Sequence, residues 1–198
     1  ASIGIFAVCE SGEEFWVQMI EIAYAKLNGC YGSLIGGAIN EGIKEMTGYP
    51  MESLNPTDNP QLWQTPSKLF SELDRLRRKK CLMGCSIRTK NVAVEGDVLD
   101  AAKKKTGLIA SHAYGLLDTL KLSDGTQLVL LRNPWGKSEW NGKFSDASHE
   151  FKQNAVEINK ILASQQGSEF EEIKPDSDDG VFVMTVEDFS QYYNNVCI

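Results

Sequence analysis

The chain has 198 residues, of which 42% are hydrophobic and 24% are charged, a composition typical of a globular protein with one substantial core or two small ones. No apolar run approaches the ~20 residues that a membrane-spanning helix needs, so we expect no membrane segment. The net charge is −7, and the segment from residue 150 onward holds ten acidic residues and three lysines, which argues against a nucleic acid partner and permits a bound cation.

The N-terminal part of the sequence is predicted to be mainly helical. Residues 3–8 favour a short strand, and apolar residues then recur at helical spacing over 15–27. A second, glycine-interrupted helix follows, and residues 47–67 contain four of the six prolines, which indicates an irregular connection. Thr65-Pro66 begins another helix, whose buried side we expect to consist of Leu69, Phe70, Leu73 and Leu76.

Strands are predicted to prevail after residue 80. Residues 90–106 favour a mobile loop or a short helix, 147–178 form an acidic connection with a helical patch near 156–162, and Thr185 caps a last short helix. The strand-like segments are 81–88, 112–122, 127–132 and 180–186.

This order of elements predicts an α+β fold, in which N-terminal helices pack on an antiparallel sheet or barrel-like subdomain. We expect a single domain over residues 1–198, mainly helical over 1–80 and mainly antiparallel β over 81–198.

The five cysteines are scattered and odd in number, which favours free thiols in a reducing compartment over a disulfide framework. We interpret all of them as small apolar fillers. Cys81 and Cys85 are four residues apart and do not by themselves indicate zinc, although an independent thiol or metal protein built on this pair is one alternative. The full set is Cys9, Cys30, Cys81, Cys85 and Cys197.

A predicted hairpin carries the strongest functional signal. Its first strand opens with Ser111-His112-Ala113-Tyr114, and its second closes with Arg132-Asn133-Pro134-Trp135-Gly136. Taken singly, the histidine, the asparagine turn and the tryptophan are more often structural than functional. Their order and spacing together favour a histidine base oriented by an asparagine.

The turn of this hairpin sets which residues face one another. If Asp124 and Gly125 are the two loop residues, Asn133 faces Leu116, and His112 lies four residues further along the first strand. The two side chains then share a face but lie about 13 Å apart at ~3.3 Å per residue. Contact between them requires a bulge or a bend.

These motifs, with others in the same order, resemble the calpains, the calcium-dependent intracellular relatives of papain. The resemblance runs along nearly the whole chain and implies the second half of a protease core with the papain-like cysteine protease fold. The resembling segments are 11–16, 23–31, 36–37, 47–48, 82–87, 112–114, 132–136, 139–146, 179–180 and Phe189.

The resemblance implies that His112 is the catalytic base and that Asn133 orients it. A neutral amide suffices for that role because the attacking thiolate forms by passing its proton to the imidazole. Trp135 would cover the contact between the two side chains and exclude water. The nucleophilic cysteine belongs to the N-terminal half of the core in this family, so we expect the isolated chain to be inactive.

The resemblance also implies a calcium site in this half, with carboxylate ligands Glu139, Asp146 and Asp179. Val181 stands where many relatives have a further carboxylate, and Ser177 occupies another usual contact, so we expect a weakened site. A solvated acidic loop is the alternative. Ser111 replaces the glycine that usually precedes the histidine. No organic cofactor is implied.

The principal hypothesis is therefore the histidine- and asparagine-bearing half of a calpain-like cysteine endopeptidase. Its expected partners are the cysteine-bearing N-terminal half and a protein or peptide substrate, in the cytoplasm. The main alternative is a non-catalytic calpain-like interaction or regulatory module. The residues upstream of this segment in the parent protein distinguish the two, because a Cys-Trp pair in a glycine-rich context favours the enzyme.

Overall fold

The computed structural model describes residues 14–88, 105–165, 172–174 and 179–198. The strand predicted at 3–8 and most of the segment 90–106 lie outside these ranges. None of the helices in the described ranges is both long enough and apolar enough to cross a lipid bilayer. The helices are α1 (Trp16–Leu27), a 3-10 helix (Tyr31–Leu34), α2 (Ile39–Thr47), α3 (Pro60–Trp63), α4 (Pro66–Arg78), α5 (His149–Ser164) and α6 (Val186–Tyr192).

The strands of the described residues form one antiparallel sheet in the order β1-β6-β2-β3-β4-β5. The predicted α+β class is thereby confirmed. Two edge-side strands, β1 and β6, were not predicted, because segments of two and three residues are too short to show alternation. The strands are β1 (Ser53–Leu54), β2 (Gly84–Ser86), β3 (Ala113–Lys121), β4 (Gln127–Arg132), β5 (Val181–Thr185) and β6 (Asn195–Cys197).

The centre of the sheet is buried on both faces. Leu128 and Leu130 of β4 pack in one cluster with residues of α5, whereas Val129 and Leu131 pack in a second cluster with α4 and α6. Because successive side chains of a strand point to opposite faces, the uninterrupted apolar run of β4 is what a layer covered by helices on both sides requires. The buried side predicted for α4 is confirmed in Leu69, Phe70, Leu73 and Leu76.

Two helices that flank the sheet begin at side-chain caps. Ser148 accepts a hydrogen bond from the amide of Phe151 at the start of α5, and Thr185 accepts one from the amide of Asp188 at the start of α6. The cap at Thr185 matches the prediction. Helix α5 is longer than the predicted patch at 156–162, because its first turns carry mostly polar residues that dilute the apolar period.

The N-terminal helices contribute little to the core. Helix α1 buries only Ala25, while Phe15 and Met19 are exposed. Helix α2 approaches the sheet through Ile39, whose Cγ2 atom lies so close to Gly84 that a Cβ atom there would be 2.7 Å away. We expected the N-terminal helices to pack on the sheet. Among them, α4 provides most of this packing.

Candidate functional site

His112 and Asn133 are in contact at one end of the β3–β4 hairpin. The imidazole Nε2 lies 2.7 Å from the Oδ1 atom of Asn133, a distance that corresponds to a short hydrogen bond. Asn133 is fully buried, and His112 is half-buried. The structure thus brings together the two side chains that sequence analysis assigned to one site.

The register of the hairpin differs from the prediction in two ways. The loop contains three residues, since Leu122 donates its amide hydrogen to the carbonyl of Thr126 across Ser123-Asp124-Gly125, so the predicted two-residue loop is wrong. Gly125 has a φ of 92° in this loop, as the αL position of a three-residue hairpin requires. The predicted strand residues on either side of the turn are otherwise retained.

The second difference is a β-bulge in β3. Asp118 pairs with Leu130, but Leu116 pairs with Leu131, so Leu117 has no partner on β4. Continued by one residue beyond Arg132, this register sets Asn133 opposite Tyr114, only two residues from His112. The bulge that contact between the two side chains requires is therefore present, and together with the three-residue loop it reduces the predicted offset of four residues to two.

The carboxamide of Asn133 has a fixed orientation. Its Nδ2 atom donates to the carbonyl oxygens of Lys137 and Ser138, at 2.6 and 3.0 Å. Its Oδ1 atom accepts from the amide of Trp135, at 3.1 Å, besides lying next to the imidazole. Because two backbone carbonyls face one end of the amide and a backbone N–H faces the other, the oxygen must point at His112.

This orientation determines which ring nitrogen of His112 carries hydrogen. An amide oxygen only accepts hydrogen bonds, so Nε2 must be the donor in the contact with Asn133. In the neutral imidazole Nδ1 is then the acceptor, with its lone pair available to take a proton. The imidazole ring is therefore held through Nε2, and Nδ1 is the nitrogen that can accept a proton.

Two aromatic side chains pack against this ring. The indole of Trp135 lies against the imidazole with 4.2 Å between ring centroids and an interplanar angle of 46°. Trp135 is itself 58% exposed, so it covers the ring from one side only. The ring of Tyr114 meets the imidazole edge-on, with the centroids 5.0 Å apart.

Tyr114 is a positioning residue to which the sequence analysis gave no role. It is buried, and its hydroxyl oxygen accepts the amide hydrogen of Ile109 at 2.8 Å, which ties down the segment that leads to His112. Burial raises the pKa of Tyr114 to about 12, so the phenol stays neutral. Its place two residues after the histidine, on the same face of a strand, was the available signal.

Ser111 occupies a backbone conformation that glycine adopts more easily. Its φ is 54°, and a side chain in this left-handed region costs roughly 1–2 kcal/mol. The amide of Ser111 donates to the carbonyl of Ile87 at 2.8 Å, which holds the bend. This geometry explains physically why a glycine before the histidine is favourable.

The start of β5 supports the backbone of Asn133. The amide of Asn133 donates to the carbonyl of Gly180 at 2.7 Å, and the amide of Gly180 donates to Oε1 of Glu139 at 2.6 Å. Gly180 has a φ of 83°, and a Cβ atom on it would lie 2.6 Å from the carbonyl oxygen of Asn133. A residue with a side chain does not fit between these two loops.

The predicted calcium ligands are engaged with the backbone of the same region. The carboxylate of Glu139 accepts from Gly180, and Oδ1 of Asp179 accepts from the amide of Val181 at 2.9 Å, while Asp146 is buried. In the described ranges, which include all three, no group of three or more His, Cys, Asp or Glu side chains is arranged to hold a metal ion. Ser177 lies outside the described residues.

The cysteines differ in their surroundings. Cys85 is fully buried, and burial together with Cys197 raises the pKa of its thiol well above the usual value, so it resists forming the thiolate that a nucleophile needs. Cys197 is also buried. Cys30 contradicts the prediction that all cysteines are apolar fillers, because it is exposed and hydrogen bonds involving Ser33 lower its pKa.

The comparisons of this chain with known proteins agree on one family. The profile described as calpain family cysteine protease matches residues 2–198. The chain is similar to calpain-9 of Rattus norvegicus, with 35% identity over 195 residues, to calpain-8 of Rattus norvegicus, with 34%, and to the calpain-2 catalytic subunit of Mus musculus, with 32%. Each match covers 97% of this chain and 25% of the relative, so the chain spans a quarter of their length.

Replacing the carboxamide by a carboxylate tests the orientation of Asn133. In Asn133→Asp an acceptor oxygen replaces Nδ2 and faces the carbonyls of Lys137 and Ser138. We expect the free energy of unfolding to fall by roughly 2–4 kcal/mol, because buried acceptors then lose their donors and repel one another. Urea denaturation at pH 7 measures the change. Asn133→Ala removes the donor without adding repulsion, so it should be less destabilised than Asn133→Asp. If Asn133→Asp is as stable as the unsubstituted chain, the assigned orientation is wrong.

A pair of glycine substitutions tests the contact between β5 and Asn133. Gly180→Ala places a methyl group against the backbone of Asn133 and should cost about 3 kcal/mol or more of unfolding free energy, since backbone atoms must move. Gly125→Ala is the matched control, because its φ is also positive but nothing lies within 4 Å of the added Cβ. The control should lose only the roughly 1–2 kcal/mol of backbone strain. Equal losses in thermal or urea denaturation would show that the contact is unimportant.

Proposed function

This chain belongs to the calpain family of cysteine proteases, and from that premise we propose that it carries the catalytic base and the orienting amide of a calpain-type cysteine endopeptidase. The observation that carries the proposal is the 2.7 Å contact between Nε2 of His112 and Oδ1 of Asn133. In this arrangement the amide fixes the ring so that Nδ1 faces outward as the base.

The proposed reaction proceeds through an acyl-enzyme. Nδ1 of His112 takes the proton of a cysteine thiol, and the thiolate attacks the carbonyl carbon of a peptide bond. A C–S bond forms, the C–N bond breaks, and the imidazolium returns its proton to the departing amine. Water then adds to the thioester with His112 as base, which releases the carboxylic acid and regenerates the thiol. Asn133 stays hydrogen-bonded to Nε2 and prevents the ring from turning.

We propose that the nucleophile comes from a cysteine-bearing N-terminal half of the protease core. Burial raises the pKa of the Cys85 thiol well above its usual value, so Cys85 resists forming a thiolate, and Cys197 is buried as well. Cys30 is exposed, but its Sγ contacts the hydroxyl of Ser33 at 3.6 Å and not an imidazole. Cys30, Cys85 and Cys197 are thus poor candidates for the partner of His112.

The proposed substrate is an unstructured protein segment that lies between the two halves and is held by its main chain. An extended chain exposes its peptide carbonyls to attack, whereas a folded one uses them in its own hydrogen bonds. We place the activity in the cytoplasm, because cysteines such as Cys81, Cys85 and Cys197 are free thiols, as a reducing compartment favours.

Activity measurements test the function directly. We expect the 198-residue chain alone to hydrolyse no casein-like substrate, and the parent polypeptide with the cysteine-bearing half to hydrolyse it. His112→Ala in the parent should lower kcat/KM about 10²–10⁴-fold, the contribution of a general base. His149→Ala is the matched control, since His149 is the second of the two histidines and lies exposed at the start of α5; it should leave kcat/KM unchanged.

The outcome also distinguishes the alternative, a calpain-like interaction module. A parent protein without activity and without a Cys-Trp pair in its upstream sequence would favour that module. Turnover by the chain alone would show that one of its own cysteines is a nucleophile.

We further propose that any calcium binding by this half is weak. Glu139 and Asp179 are committed to backbone amides, and Val181 stands where a further carboxylate would be needed. Isothermal titration of the chain with calcium should give a Kd above about 10⁻³ M, weaker than typical extracellular modules, and calcium should not raise the melting temperature. A tight one-to-one isotherm would contradict this.

A further inference from the structure

The β-bulge at Leu117 decides whether His112 and Asn133 share a face of the hairpin. If the register of Asp118 with Leu130 continued without a bulge, Asn133 would face Gly115, three residues from His112. An odd offset puts two residues on opposite faces of a strand. With the bulge, the offset is two residues, and the side chains meet.

The residues that follow the bulge are tied to helix α4. Nε of Arg77 lies 3.4 Å from Oδ1 of Asp118, and the hydroxyl of Thr119 donates to Oδ1 of Asp74 at 3.1 Å. Arg77 also bonds Asp74, one helical turn away, with distances of 3.2 and 3.3 Å. The last turns of α4 therefore contact two successive residues of β3 through charged groups.

Further bonds fix the backbone at the same place. The amide of Thr119 donates to Oδ1 of Asp118 at 2.8 Å, and the carbonyl of Thr119 accepts from Nε2 of Gln165, just beyond the end of α5, at 3.1 Å. Helices on both faces of the sheet thus hold Thr119. The strand is anchored one and two residues after the bulge residue.

Burial makes these contacts specific. Asp118 is 3% exposed, and a buried carboxylate is stable only when charged or hydrogen-bonding partners surround it. Burial by itself raises the pKa of Asp74, but hydrogen bonds from Thr119, Arg77 and Arg78 outweigh it and hold the pKa below its usual value. Asp74 is therefore charged at neutral pH. A one-residue slip of β3 would turn Asp118 away from Arg77 to the other face.

We propose that Arg77 and Asp118 are positioning residues that pin the bulge and thereby hold the imidazole of His112 against the carboxamide of Asn133. Their importance for catalysis rests on the proposed function. Their effect on the ring does not, because the hydrogen bond exists within this chain. The ion pair selects the one register in which base and amide share a face.

The test reads the tautomer of His112 in the ¹⁵N-labelled chain by long-range ¹H–¹⁵N spectra at a pH where the ring is neutral. In Arg77→Gln we expect the ratio of Nε2–H to Nδ1–H tautomer to fall about fivefold, the size of losing one hydrogen bond. Arg75→Gln is the matched control, since Arg75 pairs with Glu72 on the exposed side of the same helix. It changes the charge equally and should leave the ratio unaltered. His149 serves as an internal reference in every spectrum.

A second variant keeps the test decisive if Arg77→Gln does not fold. Arg77→Gln with Asp118→Asn leaves no buried charge without a partner and should fold, yet show the same fall in the ratio. A lower melting temperature with an unchanged tautomer ratio in either variant would make the network purely structural and overturn the proposal. Absence of proteolysis by the parent protein would instead overturn the proposed function, with the tautomer result unaffected.

Discussion

The hydrogen bond between the ring of His112 and the carboxamide of Asn133 depends on the backbone groups that hold this asparagine in place. Backbone and side chain together engage the carbonyls of Gly180, Lys137 and Ser138 and the amides of Trp135 and Gly136. Because Asn133 is fully buried, none of these partners can be replaced by water without a cost in free energy. The loop after β4 and the start of β5 therefore have their conformations constrained by one residue, through its side chain and its backbone.

The pairing of the two site residues followed from the sequence, although the register did not. The observed three-residue loop shifts the pairing of β3 with β4 by one residue from the predicted register, and the bulge at Leu117 shifts it by one more. Two shifts of one residue preserve the alternation of faces, so the predicted shared face for His112 and Asn133 agrees with the structure. The distance could not be predicted, because the bulge depends on contacts with α4 that are remote in sequence, such as that of Thr119 with Asp74, 45 residues away.

Other features were hidden from sequence reasoning for physical reasons. The roles of Gly180 and Tyr114 depend on close approaches between segments distant along the chain, and no local pattern encodes them. The exposure of Cys30 was missed because cysteine is among the residue types most often buried. Helix α1 has the helical period of a core element but leaves Trp16 and Met19 exposed, since amphipathic spacing indicates which side is apolar and not what covers it. Helix α4 was predictable from its first-turn proline and its buried apolar period, although Thr65 does not form the predicted side-chain cap, and α6 was predictable from its cap at Thr185.

Pro134, which directly follows Asn133, has a consequence for the chemical durability of the site. Asparagine commonly deamidates when the backbone nitrogen of the next residue attacks the side-chain carbonyl. This attack forms a succinimide and releases ammonia. A proline nitrogen carries no hydrogen to lose, so this cyclisation is blocked at the one amide whose conversion to an acid would misplace the ring of His112. Pro134 thus closes the succinimide route of deamidation at this asparagine.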